Sequence, residues 1–272
     1  IPSYTFPESA ARVLGKVAAY AEWRSRPLGV IPDFDDLHPA KARELCRTAL
    51  RERGVGWLTT EETRAVLATM GLPVAPGGLA RTADEAEQLA QALGFPVAVK
   101  LASHHLIHKT EIGGVHLNLG NETAVRQAYE KIRDRLLKEN NLAAMEGVLV
   151  QPMFAGGVEM MAGVTQDPLF GPLIAFGLGG IHVEILGDVR FRVTPLTDRD
   201  AGEIVREIRG YRLLEGYRGH PAADVAALED LLLRVSRLVE EIPEIKELDL
   251  NPIFALPPGE GCRIVDARIR VE

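Results

Sequence analysis

Cysteine is scarce in this sequence: only Cys46 and Cys262 occur among 272 residues, too few for a disulfide framework or a cysteine metal site. A reduced, cytosolic setting is the expectation that follows. Cations are also outnumbered, with 31 Lys and Arg against 38 Asp and Glu and a formal charge of −7. That balance argues against nucleic acid as a partner, which calls for a basic stripe. It leaves nucleotides open, because a few local cations and Mg²⁺ are enough to hold one phosphate chain. No apolar run approaches the roughly 20 residues of a membrane span, and the start lacks the basic, apolar and small-residue succession of a signal peptide. No membrane role is expected. Nor is there an initiating Met, and with Ile1 in its place the chain is expected to be a fragment of a longer one.

What is present is ordinary for an α/β protein with a real core, since 46% of residues are apolar and 25% charged. Phe6 to Arg24 reads as an Ala-rich helix, broken by Pro27, Gly29 and Pro32 and followed by an acidic linker, Asp33 to Asp36. A second helix is expected from about Ala40 to Arg53. Thr59 stands three residues before Glu62, and Thr82 three before Glu85, so each pair reads as a capping box opening a helix. Leu72 to Val74 reads as a short strand. Val97 to Leu101 reads as a buried strand, Gly113 to Asn118 as another, and Glu122 to Lys138 as a long amphipathic helix. Residues 148–193 are strand-rich, with hairpin chemistry at Gln166-Asp167-Pro168. Two helices, near 198–208 and 222–241, precede strands at Lys246–Ile253 and Cys262–Ala267. The alternation of short helices and β-branched runs predicts an α+β (α/β) fold.

Lys100 follows three apolar strand residues, Val97, Ala98 and Val99, where an unpartnered ammonium is expensive to bury. It either snorkels at the strand end or meets an anion, and a phosphate suits a compact point charge. Downstream, His104, His105 and His108 lie beside Ser103, Lys109, Thr110 and the pair Gly113-Gly114. The spacing is poor for zinc but suits backbone wrapping of phosphate. A histidine there is also a competent nucleophile once a second group orients it. His104 and His105 read as solvated loop residues.

Gln151-Pro152-Met153 ends a strand in a proline, which reads as an edge whose backbone is available to an adenine ring. Glu159 opens the next strand. The glycines from Gly177 to Gly180 are not followed by a helix, so a dinucleotide fingerprint is rejected, and Glu184 lies beside them. Finally, alternation puts Glu247, Asp249 and Asn251 on one strand face, and a following strand brings Asp266 near. Hard oxygen ligands in small number suit Mg²⁺.

In this order, the stretches FPVAVKLASHHLIHKTEIGGVHL, VLVQPMFAGGVEMMAGVTQDPLFGPLIAFGLGG, ELDLNPI and IVDARI resemble the ATP-grasp fold. In that fold two α+β subdomains clamp a nucleotide. The chain is most similar to the β-subunit type of ADP-forming acyl-CoA synthetases, relatives of succinyl-CoA synthetase, over roughly residues 40–270. The resemblance implies ATP/ADP and Mg²⁺ as cofactors. Lys100 would bind the phosphates, with Gly113 and Gly114 in the phosphate loop. Gln151, Pro152 and Met153 would meet the adenine edge and Glu159 the ribose. Asn251 and Asp266 would bind the metal, with Asp249 a weaker third ligand, and His108 would be the phosphoryl-carrying catalytic histidine. It further implies residues 1–36 as the tail of an upstream CoA-ligase half, with subdomains at 37–146 and 147–272. That CoA-ligase half, fused or separate, would be the partner, and its own CoA-binding motifs have no counterpart here. Two other readings stay open: a synthetase-like regulatory domain of a fused protein lysine acetyltransferase, and an ATP-grasp ligase making an acyl phosphate for an amine.

Overall fold

The computed structural model describes residues 2–106, 112–154, 156–180, 187–217, 219 and 221–272. Two compact units are distinguished, one up to Val30 and one from Ile31 to Glu272. The first is essentially one helix, α1 (Pro7–Ser25), with Pro7 at its opening turn and none of its residues buried. Phe6, Val13, Leu14, Val17, Tyr20 and Trp23 are all exposed, and helical spacing gathers them into one apolar stripe.

The second unit holds two antiparallel sheets, each with its own core. Labels follow chain order: α2 (Pro39–Arg53), β1 (Gly56–Trp57), α3 (Thr60–Thr69), β2 (Gly78–Ala80), α4 (Ala83–Leu93), β3 (Val97–Ala102), β4 (Val115–Leu119) and α5 (Glu122–Lys138). There follow β5 (Gly147–Pro152), β6 (Val158–Asp167), β7 (Gly171–Leu178), β8 (Val189–Val193), α6 (Asp198–Glu207), α7 (Tyr211–Leu214) and α8 (Val225–Glu241). The chain ends on β9 (Ile245–Ala255), β10 (Cys262–Ile264) and β11 (Ala267–Val271). The smaller sheet runs β2-β5-β3-β4, and the larger runs β1-β11-β9-β6-β7-β8 with β10 also on β9.

Each core follows from alternation. Val97, Val99 and Leu101 of β3 and Val148 and Val150 of β5 meet Val125, Ile132 and Leu136 of α5 in the smaller core. Met160, Ala162 and Val164 of β6, with Ile174 and Phe176 of β7, meet Leu228, Leu231 and Val235 of α8 in the larger. Val66 and Leu67 of α3 and Cys46 of α2 belong to that larger core too. The two cores are therefore not built from consecutive halves of the chain. Residues from Ala42 to Leu72 pack with the larger sheet, whereas β5 is an inner strand of the smaller one.

Local chemistry explains most element boundaries. The Thr59 hydroxyl accepts from the Glu62 N–H at 3.2 Å and the Glu62 carboxylate from the Thr59 N–H at 2.8 Å, the reciprocal box expected. Burial alone would raise the Glu62 carboxyl, but hydrogen bonds from Arg53 and Thr59 hold it below its ordinary value. At the second site Thr82 caps the Glu85 N–H, but Glu85 reaches the Arg81 N–H at 2.6 Å instead of Thr82, so the box is incomplete. The Asp167 carboxylate accepts from the N–H groups of Leu169 and Phe170, which closes the β6–β7 hairpin. Leu72 to Val74 forms no strand; only an isolated bridge joins Val74 to Ile264.

Both cysteines are buried free thiols, and burial pushes each up to about 12. The reactive thiolate is then a minute fraction at pH 8. We expect neither to react with a disulfide reagent at pH 8 until the chain is unfolded, when both should titrate; fast reaction of either thiol in the folded chain would contradict this packing.

Candidate functional site

Strand β3 is buried on both faces. One face enters the smaller core, and the other, which carries Lys100, turns to the larger sheet. Lys100 is 7% exposed, and its Nζ donates to the Val265 carbonyl, 3.3 Å away between β10 and β11. A strand of the smaller sheet and the wall of the larger one thus meet there across a narrow cleft. A charge so placed is tolerable only with partners from the opposite wall or from a ligand.

Gln151 stands opposite Ala98 in the β3–β5 ladder and so shares the face of Lys100. It is 1% exposed, and neither its amide oxygen nor its amide nitrogen has a hydrogen-bond partner. A buried amide left unsatisfied costs about 1–3 kcal/mol. The residue beside it must be small: a Cβ on Gly77, whose φ is +146°, would lie 2.8 Å from the Gln151 Cγ. The expected strand edge is not found here. β5 lies between β2 and β3, Pro152 pairs with Val97, and the Met153 N–H already donates to the Pro96 carbonyl at 3.0 Å. Proline is accommodated because it sits at the end of the strand, beyond the last β2 rung at Gly78. Next in the chain, Phe154 stacks on Phe254 of β9, with ring centroids 6.3 Å apart.

On the opposite wall, Leu248 and Leu250 are buried while Glu247, Asp249 and Asn251 are half-buried on the other face, as alternation required. Two of the three meet arginines of β11: Asp249 pairs with Arg268 at 2.7 Å and Glu247 with Arg270 at 3.0 Å. Asn251 is tied to Asp266 through the backbone, its N–H donating to the Asp266 carbonyl at 3.1 Å. Asp266 itself sits between β10 and β11, directly after the Val265 that receives Lys100. The fold thus brings Lys100, Asn251 and Asp266 to one corner of the cleft. Among the described residues there is no cluster of three or more His, Cys, Asp or Glu able to hold a metal alone. One carboxylate and one amide oxygen nevertheless fit Mg²⁺, which keeps several waters and takes phosphate oxygens for the rest.

Glu159 and the glycine cluster, separate in sequence, are neighbours in space. The Gly179 N–H donates to the Glu159 carbonyl at 2.7 Å, and a Cβ on Gly180 would lie 2.6 Å from the Glu159 carboxylate. A cavity of about 460 Å³ opens beside them, lined by Gly157, Glu159, Leu178, Leu213 and Tyr217 among others. His108 and Glu184 lie outside the described residues. The flanks of His108 do not: Leu106 and Ile112 pack against the smaller core, and the Gly114 carbonyl accepts from the Leu101 N–H at 2.7 Å. Gly113 adopts φ +64°, and a Cβ there would meet Arg135 at 2.8 Å.

Two side chains escaped the sequence reading. Asp188, 4% exposed, accepts from the N–H groups of Arg209 and Gly210 at 2.8 and 2.7 Å and so fixes the turn into α7. Glu146 lies 2.7 Å from His104 Nδ1, so His104 is a paired residue and not the solvated one expected. No local pattern marks these contacts, because Arg209 is 21 residues from Asp188 and His104 is 42 from Glu146.

A family model described as the ATP-grasp domain matches residues 48–271. The β subunit of acetate–CoA ligase [ADP-forming] II from Pyrococcus furiosus is 46% identical over 209 residues, covering 76% of this chain and 89% of that one. The 4-hydroxybutyrate–CoA ligase [ADP-forming] of Nitrosopumilus maritimus is 39% identical over 99% of this chain, which spans only 38% of that longer protein. Acetyl-coenzyme A synthetase 1 of Ca. Korarchaeum cryptofilum, solved with coenzyme A and Ca-AMPCP, superposes with TM-score 0.80 and 41% identity over 85% of this chain and 100% of that one. The same enzyme with coenzyme A and Mg-AMPPCP, its phosphohistidine segment pointing towards the nucleotide binding site, gives TM-score 0.73 and 38% identity over the same shares.

The orphaned amide yields a prediction. Gln151→Leu should leave the ligand-free chain as stable or more stable, by up to about 1–3 kcal/mol. Chemical denaturation of both proteins checks it, and a clear loss of stability would show that the amide is satisfied after all.

Proposed function

This chain belongs to the ATP-grasp family, with the β subunits of ADP-forming acetate–CoA ligases, and we propose that its cleft binds ATP and Mg²⁺ and exchanges the γ-phosphoryl group with a histidine. The observation that carries the reading is the cleft corner: a buried ammonium and a buried, unpartnered amide on one wall, with Asn251 and Asp266 on the other. Lys100 takes the α- and β-phosphates. Asn251 and Asp266 hold the metal, with Asp249, already engaged by Arg268, as a lesser third ligand. With the Met153 N–H used by Pro96, the base edge is read at Gln151, Pro152 and Met153 chiefly through the Gln151 amide. Glu159 holds the ribose, and Gly113 and Gly114 let backbone approach the phosphates.

His108 is the acceptor in this reading. An imidazole nitrogen forms the N–P bond as the bond from the γ-phosphorus to the bridging oxygen breaks, and ADP leaves with that electron pair. Mg²⁺, where bound, neutralises the phosphate oxygens; positioning and charge neutralisation are most of what phosphoryl transfer asks of a protein. The relative solved with Mg-AMPPCP and a phosphohistidine segment directed at its nucleotide site supports this assignment.

The complete reaction, ADP-forming acyl-CoA synthesis, belongs on this reading to the chain together with a CoA-ligase half. The longer relative matches 99% of the chain, whereas the separate β subunit, matched over 89% of its own length, reaches only 76% of it. Residues 1–36 are then the tail of that upstream half, and the uncovered stripe of α1 is its contact. The lobes that clamp ATP are 37–146 and 147–272 by chain position, exchanged at their borders as the two sheets require. A reducing cytosol suits the two buried thiols.

Calorimetric titration of ATP·Mg²⁺ into the purified chain tests the site. Binding should weaken at least about tenfold in Lys100→Ala and in Asn251→Ala, in line with about 1.4 kcal/mol or more per lost charged or metal contact. A folded chain that binds no ATP would sink the reading. CoA-dependent turnover should also be absent until a CoA-ligase half is added, and efficient acyl-CoA synthesis by this chain alone would refute that part of it.

A further inference from the structure

Helix α3 packs on the larger sheet, yet its first half carries polar contacts to the smaller one. Arg64 donates to the carbonyls of Ala75 and Gly77, at 2.9 and 3.3 Å, where the chain departs for β2. Glu61 pairs with Arg81 at 2.6 Å, a well-exposed contact of small energetic value. The third contact is better sheltered. The Thr60 N–H, a donor that the helix itself cannot satisfy, donates to Glu146 Oε2 at 3.3 Å. The other oxygen of Glu146 lies 2.7 Å from His104 Nδ1, and the two side chains are 17% and 22% exposed.

This carboxylate stands at the exit of β3. The Glu146 N–H donates to the Ala102 carbonyl at 2.9 Å, just past the last β3–β5 rung. The Ser103 hydroxyl accepts from the N–H groups of His105 and Leu106 at 3.2 and 3.0 Å, so the turn away from the strand is fixed as well. Trp57, Thr60, Ser103, His104 and Arg268 line a crevice of only about 10 Å³ here, room for roughly one water. Arg268 in turn lies over the Trp57 ring and bonds Asp249. The joint is therefore tight and continues into the acidic face of β9.

We propose that Glu146 is a positioning residue for phosphoryl transfer: by holding His104 and the Thr60 N–H together, it sets the strand bearing Lys100 against the wall bearing Asn251 and Asp266. The inference rests on the ATP reading of the cleft. Lys100 is four residues before His104, so the carboxylate acts close to the strand that carries the ammonium. Transfer is sensitive to misplacement of about 1 Å, which can lower a rate by about a hundredfold, while equilibrium binding of a flexible triphosphate is more forgiving.

The experiment compares Glu146→Ala, Glu146→Gln, His104→Gln and the exposed comparator Arg81→Ala. It reads ATP·Mg²⁺ affinity by calorimetry, the single-turnover rate of phosphohistidine formation from ATP, and amide exchange in the nucleotide-free chain. Glu146→Ala should slow transfer at least about tenfold with affinity changed less than about threefold, and should speed exchange at Thr60, His105 and Leu106. Glu146→Gln should recover most of the rate, since an amide can accept from Thr60 and donate to a neutral imidazole. His104→Gln combined with Glu146→Ala should be no slower than Glu146→Ala alone, as members of one network behave. Arg81→Ala should match the parent. A rate unchanged in Glu146→Ala, equal losses of rate and affinity, a Gln variant as slow as the Ala variant, or additive losses would each overturn the proposal. If the parent binds no ATP, the cleft reading fails and the catalytic role with it. The exchange data decide separately, because unchanged exchange at Thr60 overturns the joint itself.

Discussion

A lysine ammonium placed on the inner strand of a sheet dictates much of this architecture. Lys100 sits where β3 is covered on both faces, by α4 and α5 on one side and by the larger sheet on the other. The apolar face is easy to cover, since Val97, Val99 and Leu101 meet a helix stripe of matching period. The second face is not, because it must cover a charge. The partner there has to be polar and must come from another part of the chain; the Val265 carbonyl between β10 and β11 is one such group. The fold therefore requires two sheets that face each other through polar atoms while each keeps a separate apolar core. This arrangement lets a cleft persist without collapsing into one hydrophobic interior.

Electrostatics on the opposite wall follow the same logic. A chain of net charge −7 that gathers Glu247, Asp249 and Asp266 near one strand risks self-repulsion. Cross-strand arginines relieve it: Arg270 faces Glu247 and Arg268 faces Asp249 in the β9–β11 register, where opposite charges directly across a ladder are favourable. The same pairing separates the acids by role. Glu247 and Asp249 are engaged by guanidinium groups, and Asp266 is stitched by backbone to Asn251.

How much of this was legible in the sequence depends on the range of the interaction. The Thr59–Glu62 box, the hairpin at Asp167 and the long helices are set by neighbours within four residues, and they were readable. So was the shared face of Glu247, Asp249 and Asn251, since alternation is a property of one strand. Lys100 drew notice because a charge after an apolar run is locally incongruous. The failures share a different feature. Pro152 suggested an edge, but β5 is interior, because strand order depends on pairings that local pattern does not encode. His104 read as a loop residue, since nothing near it announces Glu146. Nor does local pattern show that α2 and α3, though early in the chain, bury their apolar faces under the larger sheet.

The candidate site divides along the same line, and this says something about how such a cleft is specified. The groups proposed to contact a ligand are marked by chemistry out of keeping with their local surroundings: a buried Lys100, a Gln151 amide with no partner, a Gly113 at φ +64°. The groups that fix the surrounding backbone, Glu146 beside Thr60 and His104 and Asp188 at the turn into α7, are marked only by the company they keep in three dimensions. A buried carboxylate that accepts two backbone N–H groups, as Asp188 does, is fully at home in its folded setting and conspicuous nowhere in the sequence. On the proposed reading, frustration is concentrated where a ligand would relieve it, and satisfaction where geometry must not change. That asymmetry is the physical reason a sequence exposes its binding residues more readily than the residues that position them.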